Sequence, residues 1–479
     1  EKQRKMQKLL DSSSALYPTG LSTQRKIFRI PAGVYAGRTA TLFQKTAGTI
    51  VLVFADPPFA AWSSAQNVVT DSADLPFSAM MDKDGSLYVV YTQTTTLALL
   101  MVKLSFANGV WTAGTVRQIL TVDSNYYPVI VKDRTDRLWA IWTRLAAADS
   151  KYYLQAKSAI NDGATWGSGS TDVGTTLSSG VATPVYGQVE IFNDRVYAVY
   201  TDGGTKLADR YFPILGSVWA LEEILASGSG FDSNFAVRAS ADGRLGVAYA
   251  SSTGLFYREF DGVVWSGASP IDTSGSAPLL VFPSGKATVL YSKNFGTAQN
   301  QLVFSQKGES GFGAAVPLFA AEAAFAKVFV YDASATVKFQ DKTAEAASTA
   351  AGDVLHSTSG AMLKDVGDTM YLGAEEPFHF FRALNSVAGV GGVVAYSYWN
   401  GSEWTAFVPN FGNYNFTDSG AGVYLWPDKS QIPSGWLKAS VAGAVKYWLK
   451  VEVATAFPTG PVGSQLSAIP ETIYPNVTE

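Results

Sequence analysis

Between residues 40 and 315 one short pattern recurs: a turn residue, an alternating apolar strand and a closing aromatic. The copies read GTIVLVFA from Gly48, GSLYVVYT from Gly85, DRLWAIWT from Asp136, DRVYAVYT from Asp194, GRLGVAYA from Gly243 and GKATVLYS from Gly285. In all six copies the aromatic lies six residues after the anchor, at Phe54, Tyr91, Trp142, Tyr200, Tyr249 and Tyr291. These aromatics are 37, 51, 58, 49 and 42 residues apart, the span of a four-stranded sheet of about 40–50 residues plus loop insertions. An apolar run precedes most anchors and a second aromatic follows at Trp111, Trp166, Trp219, Trp265 and Phe312, which gives each unit room for four strands. The first unit has no clear second aromatic. A small sheet with two apolar faces buries both only between neighbours, and closing a ring removes the end faces from water. The pattern therefore predicts a six-bladed β-propeller; a β-sandwich with coincidental spacing is the competing arrangement.

Composition agrees with an all-β chain: charged residues are 16% of 479, aromatics 13%, and glycines number 44. A net charge of -4 supplies no field for a phosphate backbone, so no nucleic-acid partner is expected. The absence of cysteine excludes disulfides, thiolate nucleophiles and cysteine-ligated metals. His356 and His379 are the two histidines, too few for a histidine metal site or an evident Ser-His-Asp triad. No cofactor and no metal are expected, although the FDSN stretch at 231–234 offers oxygen ligands of the kind Ca²⁺ takes, without EF-hand spacing. No apolar run reaches the ~20 residues of a membrane span; 380–399 is broken by Arg382 and Asn385. The opening EKQRKMQKLLDSSS lacks the apolar region of a signal peptide.

The third unit carries SAINDGATWG, which resembles the Asp-box of sialidase-like propellers. Gly163, Thr165 and Trp166 match, while Asn161 replaces the Asp and Ala159 the Ser. In that family the box is a structural turn between outer strands. Phe28-Arg29-Ile30-Pro31, followed by GTIVLVFAD, resembles the opening blade of sialidases, where this arginine is one of a carboxylate-binding triad. A planar guanidinium suits that role because it offers two parallel hydrogen bonds. The resemblance covers about residues 25–320. Two catalytic positions depart from it: VYGQVEIFNDRVYAVYT places Tyr186 where the family has Glu, and Tyr200-Thr201 where it has a second Arg. The chain is accordingly read as non-enzymatic. Only a sialidase-type hydrolase would make Arg29 catalytic, together with Asp71 or Asp74 from VVTDSADLP, because glycosidases need paired carboxyl groups or a Tyr with its Glu.

Beyond residue 341 the composition turns small and polar, and 342–364 reads as a linker. A second β module follows, in which Asn400-Gly401 between aromatic strands marks a hairpin. The series YLGAEEPFHFFRALNS, YSYWNGSEWTAF, NFTDSGAGVYLWPDKS and SGWLKASVAGAVKYWLKVEV resembles a β-sandwich module of bacteriophage tail and surface proteins. Its tryptophans are expected in the core. The expected organisation is a docking segment at 1–24, a propeller at 25–341, the linker, a jelly-roll-like sandwich at 365–456, and a Pro-rich extended arm at 457–479. Met6, Leu9 and Leu10 share one face of a short amphipathic helix that could dock on a partner. The resemblances imply an exposed adhesive or structural virion protein of a bacteriophage. Its partners would be other virion proteins, reached through the N-terminal segment, and host-surface glycan. It would belong to a homo-oligomeric or larger assembly on the virion surface. The alternatives are a secreted sialidase-like hydrolase with a carbohydrate-binding module and a bacterial surface adhesin.

Overall fold

The computed structural model describes residues 13–468 apart from 58, 60, 295–299, 318–322, 349–351, 411, 419 and 427–430. Met6, Leu9 and Leu10 lie outside the described residues. The chain divides into two compact units at Val316/Pro317.

The first unit contains six successive antiparallel meanders of four or five strands. Their innermost strands are Ile27–Arg29, Ser78–Met81, Ser124–Lys132, Tyr186–Phe192, Phe235–Ala239 and Gly275–Val281. Each sheet joins the next through an apolar core. Leu42, Leu52, Val89 and Trp111 fill the space between blades 1 and 2, and Tyr88, Met101, Trp142 and Trp166 that between 2 and 3. Ile141, Val189 and Phe212 join blades 3 and 4, Tyr197, Phe235 and Phe260 join 4 and 5, and Tyr257, Leu280 and Tyr291 join 5 and 6. Six amphipathic sheets stacked face to face in succession follow the β-propeller arrangement that the repeat spacing predicts.

In blades 2 to 6 the repeat's anchor strand is second from the axis, and its closing aromatic is buried. A buried phenol or indole needs a partner for its polar atom. Tyr91 O–H donates to Asp71 at 3.1 Å and Tyr291 O–H to Asp272 at 2.9 Å, each acid standing just beyond or at the end of the previous blade's outer strand. Trp142 Nε1 donates to Asn125 at 2.9 Å, and Tyr200 donates to Glu222. Blade 1 differs. Two strands, Ile27–Arg29 and Thr39–Thr46, precede its anchor strand Thr49–Ala55, which is therefore third, and Phe54 is only half-buried. Sequence spacing alone treats all six aromatics alike; the extra inner strand displaces one.

Residues 14–26 tie the blades together. Ser14 N–H donates to Lys45 O, and Leu16 N–H donates to Asp74 at 3.0 Å. Ser22 Oγ donates to Phe235 O at 3.0 Å in blade 5, and Gln24 Nε2 donates to Pro128 O at 3.1 Å in blade 3. Arg25 pairs with Glu190 in blade 4, while its carbonyl accepts from Ala79 N–H in blade 2. From Ser13 onward the segment expected to dock on a partner is bonded to blades of this propeller and enters its axis as a plug only at Thr23–Lys26, where Thr23, Gln24 and Lys26 are buried.

The second unit packs two antiparallel sheets around Val328, Met370, Phe381, Tyr396, Phe416, Trp436 and Leu449. One sheet orders Ala323–Ala324, Val462–Ala468, Phe380–Val387 and Gly420–Tyr424; the other orders Phe339–Asp341, Lys327–Tyr331, Thr369–Ala374, Ala444–Thr455, Val393–Trp399 and Trp404–Phe407. The expected boundaries need correction here. Strands Lys327–Tyr331 and Phe339–Asp341 belong to the sandwich, not to the propeller's end. The expected linker carries a helix, Thr343–Ala347, and delivers Ala346, Val354, Met362 and Leu363 to the sandwich core. The arm begins as a core strand, with Leu466 fully buried. The small residues of this stretch cover a core and do not space two domains. The Asn400-Gly401 turn forms as expected: Trp399 faces Trp404, Gly401 has φ 103, and Asn400 Oδ1 accepts from the Ser402 and Glu403 N–H groups at 2.9 and 2.8 Å. Trp436 and Trp448 are buried, whereas Trp399, Trp404 and Trp426 are half-buried.

Candidate functional site

On the propeller axis, toward the ends of the inner strands, lies a cavity of about 520 Å³. Arg25 and the strand Ile27–Arg29 of blade 1 line this cavity, while Lys26 turns into the blade 1–2 core. There Lys26 donates to Phe77 O and sits 4.2 Å over the Phe77 ring; burial pulls its ammonium down to about 7. Blades 3, 4 and 5 contribute Lys132, Glu190 and Arg238, and blade 2 an apolar wall of Met80 and Met81.

Charged side chains from several blades meet in this cavity. Lys132 is held by Asp82 at 2.6 Å and Asp136 at 3.2 Å; desolvation opposes its charge, but the two carboxylates outweigh it and raise its pKa. Glu190 is paired with Arg25. Arg238 has no acceptor among the described residues. Desolvation first, and the Arg25 cation second, pull its guanidinium below the ordinary value, with Glu190 opposing. Among the described residues Glu190 thus serves Arg25, Arg238 stands beside that pair, and Arg29 lines the same space. A concave site of this sort accepts an anion whose oxygens can take bidentate N–H bonds: a carboxylate, sulfate or phosphate.

Of the candidate site residues singled out from sequence, Arg29 lies here, with Phe28 of the same motif beside it. Asp71 accepts from Tyr91 O–H and, at 3.0 Å, from Gln93 Nε2, and Asp74 accepts from Leu16 N–H. Neither lines the cavity. Asn161, Gly163, Thr165 and Trp166 form a tight turn and the short outer strand of blade 3, with φ of 52, 56 and 75 at Asn161, Asp162 and Gly163. Asp162, within that turn, accepts from Tyr88 O–H and pairs with Lys103 at 2.9 Å, which clamps blade 3 to blade 2. Trp166 is buried between the same blades. The FDSN stretch closes a turn in which Asp232 Oδ1 accepts from Asn234 N–H at 2.7 Å. No cluster of three or more His, Asp or Glu side chains able to hold a metal ion occurs among the described residues, nor does any helix there have the length and apolarity to cross a membrane.

Arg25, Lys132, Glu190 and Arg238 were missed. A signal for three of them was present: Lys132 and Glu190 stand four residues, and Arg238 five, before the anchors Asp136, Asp194 and Gly243. A charged residue at that position sits at the end of an inner strand, facing the axis.

No family model matches the chain, and no curated protein matches it. Solved structures similar to it include a protein of unknown function from Dyadobacter fermentans, at 11% identity and TM-score 0.41, covering 63% of this chain and 98% of the other. Trypanosoma rangeli sialidase in complex with 2,3-difluorosialic acid is 12% identical with TM-score 0.39, covering 99% and 97%. AofleA from Arthrobotrys oligospora is 13% identical with TM-score 0.42, covering 65% and 90%. The propeller itself is defined by the strand order and blade cores above.

Proposed function

We propose that the chain is a non-catalytic adhesive protein of a bacteriophage particle, exposed on the virion surface, whose propeller binds an anionic group of a host-surface glycan. One observation supports this above the others: the axial cavity is lined by Arg25, Arg29 and Arg238, and the carboxylate among its described lining residues, Glu190, is engaged by Arg25. Binding an anion needs the arginines alone. Hydrolysis of a glycosidic bond needs paired carboxyl groups or a Tyr with its Glu, and the acids expected for that role, Asp71 and Asp74, are engaged outside the cavity.

Two measurements test this reading. Mass spectrometry and cryo-electron microscopy of the source particles should find the chain as a stoichiometric, surface-exposed component; a free monomer in the medium contradicts the virion assignment. Screening sialosides and uronate-containing polysaccharides should give binding without turnover. Turnover that disappears in Arg29→Ala with the fold retained would establish the hydrolase instead.

A further inference from the structure

The outer face of a β-sandwich sheet ordinarily alternates to polar residues. On the larger sheet here it carries aromatic rings instead. Strand register puts them on one face: Tyr331 opposes Phe339, Phe329 opposes Tyr371, Tyr371 opposes Lys450, and Trp399 opposes Trp404. The core side of the same strands presents Val330, Met370, Leu449 and Val451.

The rings form two tiers. Trp448 is the floor: it is fully buried, its Nε1 donates to Ala439 O at 2.9 Å, and Gly373 makes room for it, since a Cβ there would stand 2.6 Å from the indole. Above it runs a continuous chain of five rings. Centroid separations are 4.8 Å from Tyr331 to Phe339, 5.9 Å to Tyr371, 5.8 Å to Trp404 and 5.7 Å to Trp399. Phe339 is 37% exposed and the other four are half-buried. Tyr331 and Phe339, and Trp399 and Trp404, stand on neighbouring strands, while the side chains of Phe339, Tyr371 and Trp404 reach across intervening strands to meet.

Charge decides what this strip fits. Lys450 lies 2.9 Å from Glu452 and Lys327 2.7 Å from Asp341, so these ammonium and carboxylate groups beside the rings are compensated, and Lys338, 6.0 Å over the Tyr331 ring at one end of the strip, has no ion pair among the described residues. Such pairs offer donors and acceptors to hydroxyl groups without selecting for net charge. A strip one ring wide and interleaved with ion pairs lacks the broad apolar centre of a stable protein interface, about 800 Å² on each partner.

We propose that this aromatic strip binds a neutral, extended oligosaccharide, with the sugar faces on Trp404, Tyr371 and Phe339 and the hydroxyls on Lys450 and Glu452. The site goes beyond the propeller's anion site and stands independently of it. The test titrates the full chain with cellohexaose, chitohexaose, maltohexaose and laminarihexaose, reading tryptophan fluorescence and calorimetric heat. At least one should bind. Trp404→Ala and Tyr371→Ala should each weaken that binding about tenfold or more, with Trp404→Phe retaining most of it. Raising the ionic strength severalfold should leave the affinity within about twofold. Arg238→Ala should leave it unchanged, which keeps this outcome separate from that of the axial site. Absence of binding by all four sugars, or binding indifferent to both alanine variants in chains that unfold normally, would overturn the proposal. So would self-association of the chain that Trp404→Ala abolishes, because the strip would then be a protein interface.

Discussion

Arg238 has lost hydration without gaining an acceptor among the described residues, and it faces a second guanidinium. An anion that enters the cavity relieves both penalties, so Arg238→Ala should abolish anionic-ligand binding, by about 2 kcal/mol or more, while leaving the thermal midpoint unchanged or raised. Calorimetry with the ligand found in the glycan screen, beside a melting curve, checks both halves. Two buried groups make stability depend on pH in opposite senses. Burial first, and Glu223 second, raise Asp209 to about 7, above its unfolded value. Its contribution is complete below the unfolded pKa and disappears as pH rises through about 7. Lys26 is the reverse: depressed to about 7, it contributes above its unfolded pKa and loses that as pH falls through about 7. Asp209→Asn should therefore stabilise the propeller more at about pH 8.5 than at about pH 5, by on the order of 2 kcal/mol, and Lys26→Met should show the opposite dependence. Denaturant melts at the two pH values decide it; parallel shifts at both would show that neither group titrates near neutrality.

At the scale of elements, the repeat's buried phenols bind blade to blade. Tyr91→Phe keeps the packing and removes one bond to Asp71, which keeps Gln93 as a partner. The expected loss is about 1 kcal/mol, measured as a shift of the denaturant midpoint with an unchanged slope. The axial segment has more at stake, because it holds to blades 1 to 5 at once. Removing residues 1–26 should give an earlier, broader unfolding transition and an axis open to solvent, seen as faster hydrogen exchange in the inner strands Ser78–Met81 and Tyr186–Phe192. Exchange as slow as in the full chain would mean that the ring is held by its blades alone. In the sequence this segment offered no periodicity, since each polar side chain serves a different blade. Its role arises from a path across the axis that local pattern does not encode.

At the scale of the whole molecule, the two-unit division makes a prediction about fragments. Residues 317–479 should fold cooperatively as a separate domain, whereas 342–479 should not, because the missing strand Lys327–Tyr331 carries Val328 and Val330 into the centre of the core. Circular dichroism and a melting transition on each fragment distinguish the cases. A cooperative melt from 342–479 would contradict the boundary at Val316/Pro317.

The sequence by itself determined the meander and the number of blades. A turn anchor with an aromatic six residues later is a local pattern, set by strand alternation and by the need to bury both sheet faces, and five of the six copies occupy equivalent positions. It also marked Arg29 and the turn at Asn161–Gly163, whose glycine and adjacent Asp are demanded by positive φ and a clamp on the next blade. What only the tertiary structure decided was which charges meet. Arg25, Arg29, Glu190 and Arg238 come from three different blades and from the plug, separated by up to 213 residues, and nothing local relates them. The domain boundary was hidden for a similar reason: Ala346, Met362 and Leu363 lie in a stretch of small and polar residues that becomes core only when a distant strand covers it. Periodicity records which face of an element is buried, and it carries no record of what lies opposite.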